Sequence, residues 1–256
     1  KESMELIKND LKLLGISHDN FFSETEIVNN NLVNKAVKKL ADKKLVEEGY
    51  LQPPKGEIID NWKKIKRLIF KSTLFGDDAD RALQKNDGSW TYFASDVAYH
   101  MDKVDRNYKN LVNVLGADHT GYIKRITAAV SALSDNKILL NCKVCQLVKL
   151  FKNGKPFKMS KRAGEFISVQ DLLNEVDKDP IRFMMLNRSN DVELDFDFDK
   201  VKEKTKDNPV FYVQYAFARI NSLLRISNRS LNDNILLSTD NFNLNINEKK
   251  ILRKIF

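Results

Sequence analysis

The stretch from Leu111 to Leu133 restricts the fold of this chain more than any other part of it. An apolar run, Leu111 to Leu115, stops at Gly116-Ala117-Asp118-His119-Thr120-Gly121-Tyr122. The chain then enters a helical pattern with Ile126, Ala129, Val130 and Leu133 turned inward. The stretch before it repeats the scheme: Trp90 to Ala94 is β-rich, and Ser95 is placed to cap a helix beginning at Asp96. Strands alternating with helices predict an α/β fold on a parallel, doubly wound sheet, because parallel neighbours need a crossover long enough to hold a helix. Ligands of such sheets lie beyond the carboxyl ends of the strands, where Asp96 and His119 fall. An Asp at a helix start is also an ordinary cap, so position alone does not make it a ligand contact.

Flanking segments are read from periodicity and breakers. Met4 to Leu14 reads as a helix with Leu6, Ile7, Leu11 and Leu14 on one side, stopped by Gly15. Phe21 to Glu24 reads as extended or turn. Leu32, Val33, Ala36, Val37 and Leu40 give helical spacing with lysines opposite, and Pro53-Pro54-Lys55-Gly56 breaks the pattern. Leu68 to Leu74 reads as a strand. The acidic run Phe75 to Arg81 after it lacks calcium-loop spacing and is expected to be a solvated loop. Asp179-Pro180 opens a helix, and Asp191 to Asp199 is an extended connector. Asn208-Pro209 opens another helix, with Val210, Val213, Phe217, Ile220 and Leu224 as its core stripe. Tyr212, Tyr215 and Arg219 form a second face, fit either to stack on bases or to pack in a bundle. Asn228 to Asn247 reads as a long polar loop, and Glu248 to Phe256 as the beginning of a helix.

Charge is concentrated in Phe157-Lys158-Met159-Ser160-Lys161-Arg162-Ala163-Gly164. Before it, Val144, Leu147 and Phe151 mark a buried set, and Asn153-Gly154 signals a tight turn. After it, Ser168 and Asp171 read as the cap of a helix through Val176. A basic loop held this way suits stabilisation of charge on phosphoryl oxygens, although a solvated basic turn has the same composition. The formal charge of +8 and isoelectric point near 9.2 favour a polyanionic partner, nucleic acid before membrane. No run of 18 apolar residues predicts a transmembrane span, and the first residues lack an apolar signal core. Cys142 and Cys145 are the two cysteines. One CxxC cannot complete a four-ligand zinc site, so they read as structural thiols of a reducing cytoplasm, with no protein-bound metal expected.

Lys158-Met-Ser-Lys-Arg162 resembles the second signature of the class I aminoacyl-tRNA synthetases. Five further segments resemble the bacterial arginyl-tRNA synthetases and stand in that family's order. They are Phe22-Ser23-Glu24, Phe75 to Arg81, Thr91 to His100, Gly116 to Tyr122, and Tyr212-Val-Gln-Tyr-Ala-Phe-Ala-Arg219. The resemblance implies arginine recognition by Glu24, Tyr92, Asp96 and His119. It implies an ATP loop of Lys158, Met159, Ser160 and Lys161, with Lys158 and Lys161 catalytic. Asn208, Tyr212, Tyr215 and Arg219 match the start of the anticodon-binding helices and are expected to meet tRNA. Carboxylates suit the amino-acid pocket because a guanidinium presents a planar fork of donors that a carboxylate accepts in parallel. Two departures stand out: Phe217 replaces the family's usual His, and no His-x-Gly-His first signature is present.

The implied architecture is the second part of a class I Rossmann-type catalytic domain followed by a truncated all-α anticodon-binding bundle. Residues 1–151 would be nucleotide-binding domain, 152–200 the loop and a connecting segment, and 201–256 the start of the bundle. The implied activity is arginine–tRNA ligase, using ATP with Mg2+, L-arginine and tRNA(Arg), with activation requiring bound tRNA. The complete enzyme would be cytoplasmic and monomeric. The 256 residues alone are expected to be an incomplete, inactive portion, and a non-catalytic RNA-binding remnant is the competing reading.

Overall fold

A computed structural model describes residues 2–50, 65–157, 167–203, 205, 208–228 and 244–255. It divides into two compact units, Lys1–Val201 and Lys202–Phe256. The first begins with α1 (Glu2–Leu13), α2 (Glu24–Asn29) and α3 (Leu32–Asp42). Gly15, at φ 68°, ends the first helix: the Ile16 amide returns to the Leu11 carbonyl at 2.8 Å, a closure that needs a left-handed residue. Arg182 then donates to the Leu14 and Gly15 carbonyls at 3.1 and 2.5 Å. Leu6 and Ile7 are exposed, contrary to a wholly buried apolar side; Leu14 is the residue that packs inward. Glu24 opens a helix at the end of the segment expected to be extended or turn, with Ser23 at its N-cap.

An antiparallel sheet follows, of β1 (Val46–Gly49), β2 (Arg67–Phe70) and β3 (Arg81–Ala82). The middle strand stops at Phe70 instead of continuing to Leu74. Ser72 hydrogen-bonds to Asp77 and to the Ala79 carbonyl at 2.9 and 2.8 Å, which pulls Ser72–Phe75 into a 3-10 turn. The acidic run is therefore not solvated throughout: Asp78 is exposed, but Asp77 is enclosed. The Asp77 side chain is 0% exposed and accepts from Arg81 Nε and Nη2 at 2.7 and 2.6 Å.

The centre of the unit is α4 (Tyr92–Asp105), β4 (Asn110–Gly116), α5 (Ile123–Ser134) and β5 (Leu139–Cys145). The two strands are parallel and in register from Asn110↔Leu139 to Gly116↔Cys145, with the helix between them as crossover. Ile126, Ala129, Val130 and Leu133 are buried as their spacing predicts. They join Leu40, Phe70, Phe93 and Val97 in one apolar core, where a fully buried Phe or Leu contributes roughly 1.5–3 kcal/mol. Along β4, Leu111 and Asn113 face this core while Val112 and Val114 are exposed, so among the described residues one face of the parallel pair is covered.

The fourth helix starts one turn earlier than expected. Thr91, not Ser95, is its cap: the Thr91 hydroxyl oxygen accepts from the Ala94 amide at 3.2 Å. Trp90 makes only an isolated bridge to Gln84, so Trp90 to Ala94 is no strand.

Beyond the core lie β6 (Val148–Lys152), β7 (Lys155–Pro156), α6 (Val169–Glu175), α7 (Lys178–Leu186), β8 (Leu194–Asp197) and α8 (Phe198–Lys202). Asn153 and Gly154, at φ 52° and 68°, make the two-residue hairpin turn joining the first two of these strands. The Asp191 to Asp199 connector contains a strand, which pairs parallel to the first hairpin strand from Val148↔Leu194. Val176, Ile181, Phe196, Phe198 and Val201 form a second apolar cluster there. Leu147 is exposed in the link between two strands and does not join Val144 and Phe151, which are half-buried.

The second unit holds α9 (Pro209–Ile226) and α10 (Ile246–Ile255). Asn208 caps the first of these, accepting from the Val210 amide at 3.0 Å, with Pro209 at the first helical position. Of the expected stripe only Val210 is buried. Val213, Phe217 and Ile220 are exposed, because a stripe is buried only where a second surface covers it and the described residues of this unit supply none.

The enclosed Asp77 yields a prediction. Burial raises its pKa, but hydrogen bonds from Arg81, Ser72 and the Asp78 amide outweigh that and hold it below the ordinary 3.8. Its contribution to stability is therefore present above 3.8 and lost as pH falls through the lower folded value. Asp77→Asn should cost about 3 kcal/mol in urea unfolding at neutral pH, as for one partner lost from a buried pair. The gap to wild type should narrow on acidification. A cost under about 0.5 kcal/mol would place Asp77 with ordinary surface carboxylates.

Candidate active site

A cleft of about 370 Å³ opens beside the carboxyl end of the fourth strand. Asp96 and His119, the two residues expected at strand ends, both line it. Asp96 comes from the first turns of α4, and His119 from the 3-10 turn Ala117–Tyr122 that follows β4. That turn begins at Gly116, where an added Cβ would lie 2.7 Å from Asp118 Oδ1. His119 is exposed, with Nε2 3.6 Å from Asp118 Oδ2.

Asp96 is held in place from the same turn. The Tyr122 hydroxyl donates to Asp96 Oδ2 at 2.5 Å. Its ring is fixed by an edge contact to Phe93, 6.3 Å between centroids, and by the Arg125 guanidinium 5.0 Å from the ring centre. Burial, then the hydrogen bond and charge of Asp96, push the Tyr122 phenol well above its ordinary value, so it stays a donor. One carboxylate oxygen is thus occupied while the group as a whole keeps acceptor capacity for a cationic ligand.

Below Asp96 the cleft wall is polar and buried. His100, one turn on, bonds through Nδ1 to the Asp96 carbonyl at 2.8 Å, and Asn113 Nδ2 lies 2.8 Å from His100 Nε2. Lys103 donates to Asn113 Oδ1 at 2.9 Å and lies 4.5 Å from the Tyr99 ring centre. Burial lowers the His100 pKa, with the Lys103 charge acting in the same direction.

Tyr92 and Asp96 share one helix at i and i+4, rather than flanking a strand-to-helix turn. Tyr92 is 80% exposed, beside Lys85, and does not line this cleft. Glu24 is exposed at the start of α2; its neighbour Phe22 stacks near Tyr99 with ring centroids 4.9 Å apart. Lys158, Met159, Ser160 and Lys161 lie outside the described residues. The flanks of that loop, Phe157 and Ile167, both line a second cleft of about 350 Å³. One flank ends the hairpin, and the other leads into the capping box in which Ser168 and Asp171 satisfy each other's amides. In the second unit, Tyr212, Tyr215 and Arg219 are exposed along one helix and Asn208 is its buried cap.

The sequence profile described as tRNA synthetases class I (R), catalytic domain, matches residues 4–224. The chain belongs to this family. It is 61% identical over 254 residues to an arginine–tRNA ligase of Pelagibacter ubique, covering 99% of this chain and 44% of the relative. It is 56% identical over 222 residues to the corresponding ligase of Parvibaculum lavamentivorans, covering 87% of this chain and 38% of that one. The chain thus spans less than half the length of these curated relatives. Among solved structures, a Campylobacter jejuni chain provisionally assigned as an arginyl-tRNA synthetase superposes with a TM-score of 0.73 at 31% identity. It covers 99% of this chain and 51% of that one.

Within this class I frame, residue-by-residue reading missed Tyr122, His100, Asn113 and Lys103. The signals were present: a polar Asn113 in an otherwise apolar strand, and Asp96, His100 and Lys103 on one helical face. Tyr122 also supplies a pH test. A folded pKa above the ordinary 10.0 gives stability that is full below pH 10 and lost as pH rises beyond it. The phenolate absorbance of Tyr122 should appear only with alkaline unfolding. Tyr122→Phe should therefore leave the pre-unfolding phenolate titration unchanged. A variant lacking one phenolate step before unfolding would contradict the enclosed, Asp96-bound hydroxyl.

Proposed function

We propose that the protein carrying this sequence is an arginine–tRNA ligase: ATP, L-arginine and tRNA(Arg) give arginyl-tRNA, AMP and pyrophosphate. The observation that carries this reading is the 61% identity to an arginine–tRNA ligase along 99% of the chain. The cleft adds chemical support, because Asp96 is a carboxylate held by Tyr122 beside the carboxyl end of β4, lining space that suits a planar cation. His119 lines the same cleft and would contact the substrate from the opposite lip. Tyr92 and Glu24 belong to the proposed arginine set by the family's pattern alone, standing on neighbouring elements outside the lining of this cleft.

In the first step an oxygen of the arginine carboxylate attacks the α-phosphorus of ATP. The bond from that phosphorus to the bridging oxygen breaks, and pyrophosphate leaves. No side-chain nucleophile is needed, so positioning and charge stabilisation do the work. Lys158 and Lys161 would steady the triphosphate, bound as its Mg2+ complex, with Met159 and Ser160 shaping the loop. In the second step a terminal ribose hydroxyl of tRNA attacks the activated carbonyl carbon and AMP leaves. Tyr212, Tyr215 and Arg219, on the helix capped by Asn208, would contact the tRNA. The enzyme would act as a monomer in the cytoplasm; among the described residues no helix is long and apolar enough to cross a membrane.

The reading is tested by arginine-dependent charging of tRNA(Arg) by the full-length protein carrying this sequence. Asp96→Asn removes charge but keeps shape. It should cut kcat/KM for arginine by about 30-fold or more, as expected of a desolvated charge pair losing one partner. The KM for ATP should stay within about twofold, a change under 0.5 kcal/mol. An unaltered arginine KM would reduce Asp96 to a partner for Tyr122. Lys161→Ala should lower the rate of adenylate formation about 10²–10³-fold with arginine affinity nearly unchanged, because it acts on charge that develops in the transition state. A rate within about threefold of wild type would make Lys161 a surface charge.

A further inference from the structure

The polar chain beneath Asp96 has a fixed direction. Lys103 carries only donors, so the Asn113 oxygen must face it, at 2.9 Å. The Asn113 amide nitrogen must then face His100 Nε2, at 2.8 Å, and that nitrogen must be the acceptor. The remaining ring nitrogen, Nδ1, carries the proton and donates to the Asp96 carbonyl at 2.8 Å, an oxygen that can only accept. Turning the amide over would set its NH₂ against the Lys103 ammonium, donor against donor. A protonated Nε2 would likewise meet the amide donors. The Lys103 ammonium at one end and the Asp96 carbonyl at the other thus enforce the same amide orientation and the same ring tautomer.

The chain also crosses between elements. Lys103, His100 and Asp96 lie along one face of α4, whereas Asn113 is a buried residue of β4, its side chain on the core face of the sheet. Tyr122, which follows the same strand, grips the Asp96 carboxylate. Asp96 is thus tied to the strand and its following turn twice, through its main-chain carbonyl and through its side chain. We propose that Lys103, through Asn113 and His100, is a positioning residue that fixes the first turns of the helix and so the place of the Asp96 carboxylate. This rests on the reading of Asp96 as the partner of the arginine guanidinium. A histidine that merely fills the core would keep its Nδ1 bond to the Asp96 carbonyl, and neither its titration nor the arginine KM would depend on Lys103.

The test uses the full-length protein with ¹⁵N-labelled histidine, the His100 signal being assigned by its loss in His100→Gln. At neutral pH the wild-type ring should show the neutral pattern with the proton on Nδ1. In Lys103→Met the amide is free to turn and accept from Nε2, so the ring should take up a second proton at higher pH than in the wild type, Nδ1 staying protonated against the Asp96 carbonyl. The same variant should raise the KM for arginine about three- to tenfold, the loss expected of one hydrogen bond's positioning, with the KM for ATP unchanged. An imidazolium or an Nε2–H tautomer in the wild type would overturn the relay, a measurement that needs no variant to fold. An unchanged arginine KM in Lys103→Met would overturn the positioning role. If Asp96→Asn leaves the arginine KM unchanged while the wild-type ring shows Nδ1–H, the arginine reading falls and the relay stands.

Discussion

The hydrogen bond from Tyr122 to Asp96 joins the two pieces of chain from which the cleft is made. One is the opening of α4, the other the turn after β4, and each comes to the same place only because the parallel pair and its crossover helix are packed on a common core. A carboxylate with the role proposed for Asp96 gains from being held before the ligand arrives, since any freedom it keeps must be given up on binding. Tyr122 supplies that restraint at the side chain, and the Phe93 ring and Arg125 guanidinium hold Tyr122 in turn. The acidic segment before α4 belongs to the same scaffold: Asp77 closes its own turn around Arg81, and Asp78 reaches Lys124 at 2.7 Å at the start of the crossover helix.

Charge is distributed within the cleft with a clear gradient. Asp96 stands at one end, a neutral His100 follows, and the Lys103 ammonium lies furthest along the helix, over the Tyr99 ring. From residue 96 to residue 103 the helix rises roughly 10 Å, so the cation is far enough to leave the carboxylate available and near enough to orient the amide between them. Burial and the Lys103 charge both keep the imidazole neutral, which avoids a second positive group beside a site proposed for a cationic substrate.

Much of this was legible in the sequence because the signals were local. The apolar run Leu111 to Leu115, the Gly-rich turn and the spacing of Ile126 to Leu133 fixed a parallel unit, and Ser168 with Asp171 fixed a capped helix. Misreadings arose where a side chain acted at longer range. Thr91 binds carbonyls of Ala82 and Leu83 and so starts its helix a turn before Ser95. Ser72 ends a strand early by bonding to Asp77, a residue that looked solvent-facing in an acidic run. The chain Lys103–Asn113–His100 has no sequence signature as a unit, because its members meet only once helix and strand are packed. Exposed Val112 and Val114, and the exposed stripe of α9, kept the apolar periodicity that was read from them without a covering surface among the described residues.

The central claim is that the charge of Asp96 recognises the charge of the arginine side chain. A cycle of two residues and two ligands isolates it: binding of arginine and of citrulline, its neutral near-isostere, to the full-length protein with Asp or Asn at position 96, with tRNA present. Arginine should bind far more tightly than citrulline when residue 96 is Asp. The preference should collapse by about 2 kcal/mol or more when residue 96 is Asn, the coupling expected of a close, desolvated charge pair. The same preference for arginine in both proteins, within about 0.5 kcal/mol, would contradict it.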